Sequence, residues 1–221
     1  MKNILSVGCI FLFLVSCISC NGQTKRNATS TKNHQNKIIG GGCDGCELMY
    51  VDMPKNIQSI DTSVAWNDKG QKLLVTGKIL KRDGTTPAPN VIVYYWQTDH
   101  NGYYSKGKGK SKRHGRIRGW VQSDAAGNYA IYTIRPASYP NRDIPAHIHL
   151  SIKEPDIDTE YYTDSLEFDD DPLLTTDKRK QLENRGGSGI LRVVLNDTMQ
   201  VAQHNITLGL HIPNYPTTKQ N

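Results

Sequence analysis

The sequence contains few cysteines, one long apolar run and no repeated pattern. Only two of its five cysteines lie beyond the first twenty residues. The apolar run, residues 4–15, is shorter than the roughly 20 residues that a membrane-spanning helix needs. The lack of internal repeats and heptads excludes a solenoid and a coiled coil. We therefore expect one ordinary globular domain behind an N-terminal segment.

Charge is also limited, with a formal net value of +6 over 221 residues. Seven Lys and Arg residues lie between positions 106 and 118, whereas residues 154–172 carry acids and no Lys or Arg. Each block is most simply a solvated loop. This uneven and modest charge does not favour nucleic acid, and we expect no nucleic-acid partner.

The first twenty residues predict a secretory signal peptide, since a basic start is followed by the apolar run and by small residues. Residues 14–17, LVSC, resemble a bacterial lipobox, in which the cysteine becomes the lipidated N-terminus. Cys20 is the alternative acceptor, and an ordinary cleaved signal peptide stays open. We expect an exported cell-envelope protein that contacts a bacterial membrane only through a lipid anchor at Cys17 or Cys20.

A polar stretch, residues 21–40, predicts a flexible tether, and residues 41–221 predict a single domain with room for a core. Cys43 and Cys46 open this domain as a Cys-X-X-Cys pair. In an exported protein the pair favours a structural disulfide over a zinc half-site, which would need further ligands. A redox thiol pair is the third choice, because no thioredoxin-like pattern surrounds it. We expect the pair to have no part in catalysis.

The domain is predicted to be an all-β sandwich with one short helix and long loops. Two strands flanking the turn 124–127 are predicted to form a hairpin. The helix is predicted at residues 175–187, from a Thr/Asp start to a glycine stop. The strands are predicted at residues 71–80, 91–99, 118–124, 127–134, 146–152, 189–196 and 206–212.

His147 and His149 lie two apart in the apolar, β-branched stretch 144–152. Because side chains alternate along a strand, both imidazoles point to one side, and Ile148 and Leu150 point to the other. Two core histidines satisfied by hydrogen bonds would give the same pattern as a metal site. Nearby side chains must therefore decide between these readings.

Two tyrosines, Tyr139 upstream of the histidines and Tyr103 or Tyr104 after a strand, are candidate partners. A phenol is a poor ligand for zinc or ferrous iron, because it must lose a proton with a pKa of about 10. A ferric ion is a stronger, harder Lewis acid and holds phenolate. Two imidazoles and two phenolates would give a ferric ion a site with an open position.

Four motifs resemble, in order and spacing, the core of the intradiol ring-cleavage dioxygenases, the family of catechol and protocatechuate dioxygenases. The resemblance covers residues 73–152 and continues more weakly through 166–173. The motifs are Trp96 with a tyrosine eight residues later, Asp-X-X-Gly-X-Tyr at 124–129, Pro-X-X-Tyr-Pro at 136–140 and Pro-Ala-His-X-His at 145–149.

The resemblance implies a non-haem ferric ion, Fe(3+), held by Tyr104, Tyr139, His147 and His149. It implies Tyr139 and His149 as the axial pair, with Tyr104 and His147 equatorial beside a solvent hydroxide. The implied activity is cleavage of a catechol-type ring with O2 between its two hydroxylated carbons. Tyr139 is also implied as a catalytic residue, which takes a substrate proton and leaves the metal as the diol binds.

The sequence departs from the family at two positions. Ile144 occupies the place of an arginine, and Ser165 the place of a glutamine. Arg142 would share the face of Ile144 in a strand, so we predict it as a substitute catalytic residue. The basic block 106–118 is expected to pass the mouth of the site and to favour anionic or bulky catechols.

Two alternatives to an active enzyme stay open. One is a catalytically weak iron- or ligand-binding envelope lipoprotein, which the loss of the arginine favours. The other is a transthyretin-like structural module. A homodimer is also left open.

Overall fold

A computed structural model describes residues 38–43, 45–106 and 113–217, all within one unit, Asn36–Asn221. The predicted signal peptide, most of the predicted tether and the lysines of residues 107–112 lie outside the described residues. Within the described ranges, no helix combines the length and the apolar character needed to cross a membrane.

The described residues form short helices and twelve strands. A 3-10 helix spans Cys46–Tyr50, and one α-helix, α1, spans Thr176–Gln181. The strands are β1 (Ile60–Thr62), β2 (Lys72–Leu80), β3 (Ile92–Gln97), β4 (Arg118–Gln122), β5 (Asn128–Ile134), β6 (His147–Lys153), β7 (Tyr161–Tyr162), β8 (Leu166–Phe168), β9 (Ile190–Leu191), β10 (Val194–Asn196), β11 (Met199–Gln203) and β12 (Ile206–Thr207).

The strands make two sheets of mixed direction. The first has the order β1-β5-β2-β11-β10, with β12 paired to β2, and the second has the order β4-β3-β6-β8-β9, with β7 paired to β6. In the second sheet β3 lies between β4 and β6 and is antiparallel to both. The predicted all-β sandwich is therefore confirmed.

The main core lies between the two sheets. Leu73 and Val75 of β2 share one buried cluster with Ile148 and Leu150 of β6. All four are at most 1% exposed. Burial of a side chain of this size stabilises a fold by about 1.5–3 kcal/mol. This packing fixes the second sheet and turns the alternate residues of β3 and β6 outward, away from the core.

The outer face of the second sheet has its own cover. Met49 of the 3-10 helix is fully buried in a small cluster with Tyr94 and Trp96 of β3. The indole Nε1 of Trp120 donates a hydrogen bond to the carbonyl of Met49 at 2.7 Å. The segment that precedes the first strand is therefore packed across this outer face.

The predicted hairpin around residues 124–127 is wrong. The turn exists, since the amide of Gly127 donates to the carbonyl of Asp124 at 2.9 Å. However, β4 pairs with β3 in the second sheet, and β5 pairs with β2 in the first. The chain changes sheets at this turn, because β4 and β5 pack their apolar sides onto the core from opposite sides.

The predicted strand 189–196 is two strands in different sheets. Its first part, β9, pairs with β8, and its second part, β10, pairs with β11. The predicted strand 206–212 is limited to Ile206–Thr207, because Gly209, at φ 72°, introduces a turn. In both places the apolar pattern of the sequence continues although the chain turns or changes sheets.

Helix α1 is shorter than the predicted 175–187. Its start agrees, since the Thr175 hydroxyl accepts from the amide of Lys178. It ends at Gln181 because the following residues bond elsewhere: the amide of Asn184 donates to the carboxylate of Asp164 at 2.7 Å. Tertiary hydrogen bonds outweigh helix propagation over these residues.

Candidate metal centre

Strand β6 positions the two histidines on the outer face of the second sheet. His147 and His149 are half-buried, while Ile148 and Leu150 between and after them lie in the core. The predicted division of the strand into an imidazole side and an apolar side is therefore confirmed. In the ladder, His149 is the partner of Trp96, so the two rings stack with centroids 4.7 Å apart.

The loop after β3 carries Tyr104. Asp99 shapes this loop, because its carboxylate accepts from the amides of Asn101 and Tyr103 at 2.9 and 3.1 Å. Gly102 has φ 82°, which favours glycine. A Cβ atom at Gly102 would lie 2.0 Å from the carbonyl oxygen of Ser138, so only glycine permits this close approach.

The loop between β5 and β6 carries Tyr139. The hydroxyl of Thr98 donates to the carbonyl of Ala137 at 2.7 Å, and the amide of Ala137 donates to the carbonyl of Asp99 at 3.0 Å. These bonds join the two tyrosine-bearing loops. As a result the phenol oxygens of Tyr104 and Tyr139 lie 2.7 Å apart.

The four predicted ligands converge on one point. The two imidazole Nε2 atoms of His147 and His149 are 3.0 Å apart. Tyr104 Oη lies 3.1 Å from His149 Nε2, and Tyr139 Oη lies 3.3 Å from His147 Nε2. With the phenol pair, these contacts close a ring of four donor atoms, all part-buried. Tyr103, the tyrosine not chosen, is 59% exposed.

Hydrogen bonds on the far side of each imidazole orient the rings. His147 Nδ1 donates to the carbonyl of Pro145 at 2.7 Å. In the neutral ring, Nε2 is then unprotonated and has a lone pair available for a metal. His149 Nδ1 lies 3.2 Å from the hydroxyl of Ser165, which also bonds to the phenol of Tyr162. Such outer partners are typical of histidines that bind metals.

Electrostatics favour neutral imidazoles in this cluster. Burial lowers the pKa of His147 below its ordinary value, against a smaller opposing effect of its bond to Pro145. Burial, with the neighbouring His147 and His114, lowers the pKa of His149 further. Burial and the contact with Tyr139 raise the pKa of Tyr104, so a phenolate here needs a cation beside it.

The donor set fits a ferric ion. Atoms bound at about 2 Å to one first-row ion, at angles of about 90–110°, lie about 2.8–3.3 Å from each other. The four contacts, 2.7–3.3 Å, match this spacing. Among the described residues no three His, Cys, Asp or Glu side chains gather for a metal, so the donors here are two imidazoles and two phenols.

A cavity of about 480 Å³ opens at this cluster. Its size is within the range of small-molecule sites, about 300–1,000 Å³. Tyr104, Tyr139 and His149 line it, together with Trp96 and Tyr162. The aromatic walls suit a flat ring, and three of the four donors face it.

The predicted substitute arginine lies elsewhere. Strand β6 begins at His147, so Arg142 and Ile144 are not in a strand, and the reasoning that gave them a shared strand face is wrong. Both are exposed, and in the described part of the chain neither lines the cavity. Arg113, within the basic block, does line it.

Several residues at the site were not predicted from the sequence. His114 lines the cavity and stacks on Trp96, with centroids 4.1 Å apart and rings 3° from parallel. Tyr162 and Cys43 line it as well. The pairing of Cys43 with Cys46 is confirmed as a disulfide. The alternation of Tyr94 and Trp96 in β3 was the one local signal of an aromatic outer face.

Comparison with known families identifies the family of the chain. A family model described as "Dioxygenase" matches residues 49–185, more than half of the chain. The chain belongs to the intradiol ring-cleavage dioxygenases. The match extends beyond the motifs on both sides and begins at Met49 and Tyr50, the last two residues of the 3-10 helix.

One curated relative of this family member agrees with the family match. The protocatechuate 3,4-dioxygenase beta chain of Burkholderia cepacia is 32% identical over 120 residues, which are 49% of this chain and 49% of that one. The chain thus spans about half the length of this curated relative.

Two solved structures share the fold. The dioxygenase domain of a dioxygenase–carbohydrate-binding protein fusion from Streptomyces sp. SirexAA-E has a TM-score of 0.54 at 22% identity, over 72% of this chain and 90% of that one. Hydroxyquinol 1,2-dioxygenase from Pseudomonas putida DLL-E4 has a TM-score of 0.51 at 23% identity, over 72% and 64%.

Proposed function

We propose that this family member binds a ferric ion through Tyr104, Tyr139, His147 and His149 and cleaves a catechol-type ring with O2. The observation that supports it most is the ring of four donor atoms at 2.7–3.3 Å. Members of the family generally use Fe(3+), and the donor chemistry fits that ion. When bound, the ion would supply Lewis-acid activation of the catechol toward O2.

The proposed ligands differ in how firmly the protein holds them in place. His147 and His149 belong to a paired strand and are oriented through Pro145 and Ser165, so they keep their positions. Tyr139 belongs to a loop between strands and has no ladder bonds. As a phenolate, Tyr139 Oη would take one of the two catechol hydroxyl protons and then move aside as a neutral phenol.

Tyr104 and Trp96 have supporting roles in this proposal. Tyr104 Oη, between Tyr139 and His149, stays in place and balances charge as a phenolate. Trp96 covers one face of the His149 ring and excludes water from it. The aromatic side chains that line the cavity would stack against the substrate ring.

A second candidate function is iron or catechol binding with little turnover. It is favoured by the exposed positions of Arg142 and Ile144, which leave no arginine from that loop in the cavity wall. Losing one preorganised charge typically costs about a hundredfold in rate. Export and lipid anchoring at Cys17 or Cys20 remain part of the proposal on sequence grounds.

The experiment is oxygen uptake by the iron-loaded full chain with a panel of catechols, including protocatechuate, and isotopically labelled O2. We expect a ring-opened diacid that carries both labelled oxygen atoms. Binding of catechol without oxygen uptake would favour the second candidate. If no catechol of the panel is bound and no oxygen is taken up, both candidate functions are contradicted.

A further inference from the structure

One wall of the cavity comes from outside the sandwich. Gly42 and Cys43 line it, although both precede the 3-10 helix in sequence. We call Gly41, Gly42, Cys43, Gly45 and Cys46 the disulfide loop. Within it, the disulfide joins Cys43, which is half-buried, to Cys46, which is 2% exposed. Cys43 is thus tied to a buried residue and cannot swing away from the cavity.

The segments on either side of the disulfide loop are also fixed. Before it, the amide of Gly40, predicted as the last tether residue, donates to the carbonyl of Pro213 at 2.7 Å. After it, the carbonyl of Met49 accepts from Trp120 Nε1 at 2.7 Å. The loop is held at both ends by the domain whose cavity it borders.

The inner edge of the loop is in close contact with the site. Gly45 has φ 88°, and a Cβ atom there would lie 2.8 Å from His114 Nε2. His114 stacks on Trp96, and Trp96 stacks on His149. A continuous column of contacts therefore runs from the disulfide loop to a proposed metal ligand, which leaves the loop no room to move inward.

We propose that the disulfide loop determines specificity: Cys43, held by its disulfide, limits the size of the substituent that a bound catechol can carry. This inference rests on the proposed function, since it takes the cavity as the catechol site. It assigns the Cys43–Cys46 pair a role in substrate selection, beyond the purely structural one that its spacing predicts.

The test compares two changes that should act in opposite directions. Replacing both cysteines, Cys43→Ala with Cys46→Ala, frees the wall. Gly42→Phe adds a large side chain at the cavity wall instead, and Gly42 suits this change because its φ is not left-handed and a Cβ there would meet no atom within 4 Å. Gly42→Ala is the matched control for the filling variant.

Binding of catechol and of tert-butylcatechol to the iron-loaded full chain is titrated without oxygen and followed by visible absorption. We expect the ratio of the two dissociation constants, bulky over simple, to fall about tenfold in the cysteine variant and to rise about tenfold in Gly42→Phe. Gly42→Ala should change it little.

An unchanged ratio in Gly42→Phe, with the iron absorption of the catechol-free chain intact, would overturn this inference alone. That variant decides the question even if the cysteine variant does not fold. Failure of the unmodified chain to bind either catechol would overturn the proposed function, and this inference with it.

Discussion

Strand β6 has two faces that are ordered by different forces. Ile148 and Leu150 point into the main core and are at most 1% exposed. His147 and His149 point outward, where hydrogen bonds, an indole stack and two phenols surround them. The inner face is complete in the protein alone. The outer face gathers four donor atoms around one point and, under the proposed function, would be completed by a ferric ion.

The largest expected effect is on the outer face. His149→Ala removes one of four donors, and we expect iron affinity to fall more than about a hundredfold, since even an outer partner of a ligand is worth about 10–100-fold. The iron-free variant should remain folded, because the core is untouched. Iron content and circular dichroism of the purified chain measure the two effects. Full iron content in His149→Ala would contradict the ligand assignment.

We expect the opposite pattern for Leu150, the residue next to His149: lower stability with unchanged iron binding. Leu150→Ala leaves a cavity in the core and should lower the free energy of unfolding by about 2–5 kcal/mol. Iron content per folded chain should not change, because Leu150 points away from the donors. Urea unfolding of the iron-free chain gives the free energy. A folded Leu150→Ala chain without iron would show that the two faces are not separable.

A buried imidazole in the first sheet sharpens the contrast. His204, which follows β11 in the first sheet, is 7% exposed, and its Nδ1 lies 3.1 Å from Tyr129 Oη. Burial lowers its pKa from the ordinary 6.5 to about 4. The folded chain therefore keeps His204 neutral, and the unfolded chain binds its proton first as pH falls. The contribution that this pKa difference makes to the free energy of unfolding is present above pH 6.5 and is lost as the pH falls from there toward 4.

We expect His204 alone to contribute a loss of about 3 kcal/mol between these pH values, at 1.36 kcal/mol for each unit of pKa difference. His204→Gln should reduce the acid-induced loss by about that amount and leave iron content unchanged. Unfolding of the iron-free chain at a series of pH values is the measurement. The same pH dependence in the variant would show that His204 is not kept neutral by burial.

The smallest effect concerns an outer partner of the site. Ser165→Ala removes the hydroxyl near His149 Nδ1 and should weaken iron binding about tenfold. Ser188→Ala, which removes a hydroxyl that accepts from the amide of Ile190, is the control. Competition with a chelator gives the affinities. Equal affinities in the two variants would mean that Ser165 does not orient the imidazole.

The sequence predicts the donors better than their surroundings. Alternation in residues 146–152 assigns His147 and His149 to one face without knowledge of the fold, and the motifs supply Tyr104 and Tyr139. The partner of His149 in the sheet, Trp96, depends on strand register, which local sequence does not specify. His114 approaches only through tertiary packing.

Sheet membership was the other limit of prediction. Residues 118–134 carry a hairpin pattern, yet the chain changes sheets at the turn. Residues 189–196 look continuous but divide between the sheets. Both strands of such a pair bury one side in the same core, so their apolar patterns are alike whichever sheet they join. The strand face that Arg142 was expected to share with Ile144 does not exist, because β6 begins only at His147.

Iron binding by two neighbouring tyrosine variants tests the ferric site most directly. Tyr104 has its phenol in the donor ring, whereas Tyr103 is 59% exposed. Ferric iron is added to the full chain and to Tyr104→Phe and Tyr103→Phe, and visible phenolate absorption is recorded with iron content. We expect Tyr103→Phe to match the unmodified chain, and Tyr104→Phe to lose or shift the band and bind iron weakly. An identical band and iron content in Tyr104→Phe would contradict the proposed metal centre.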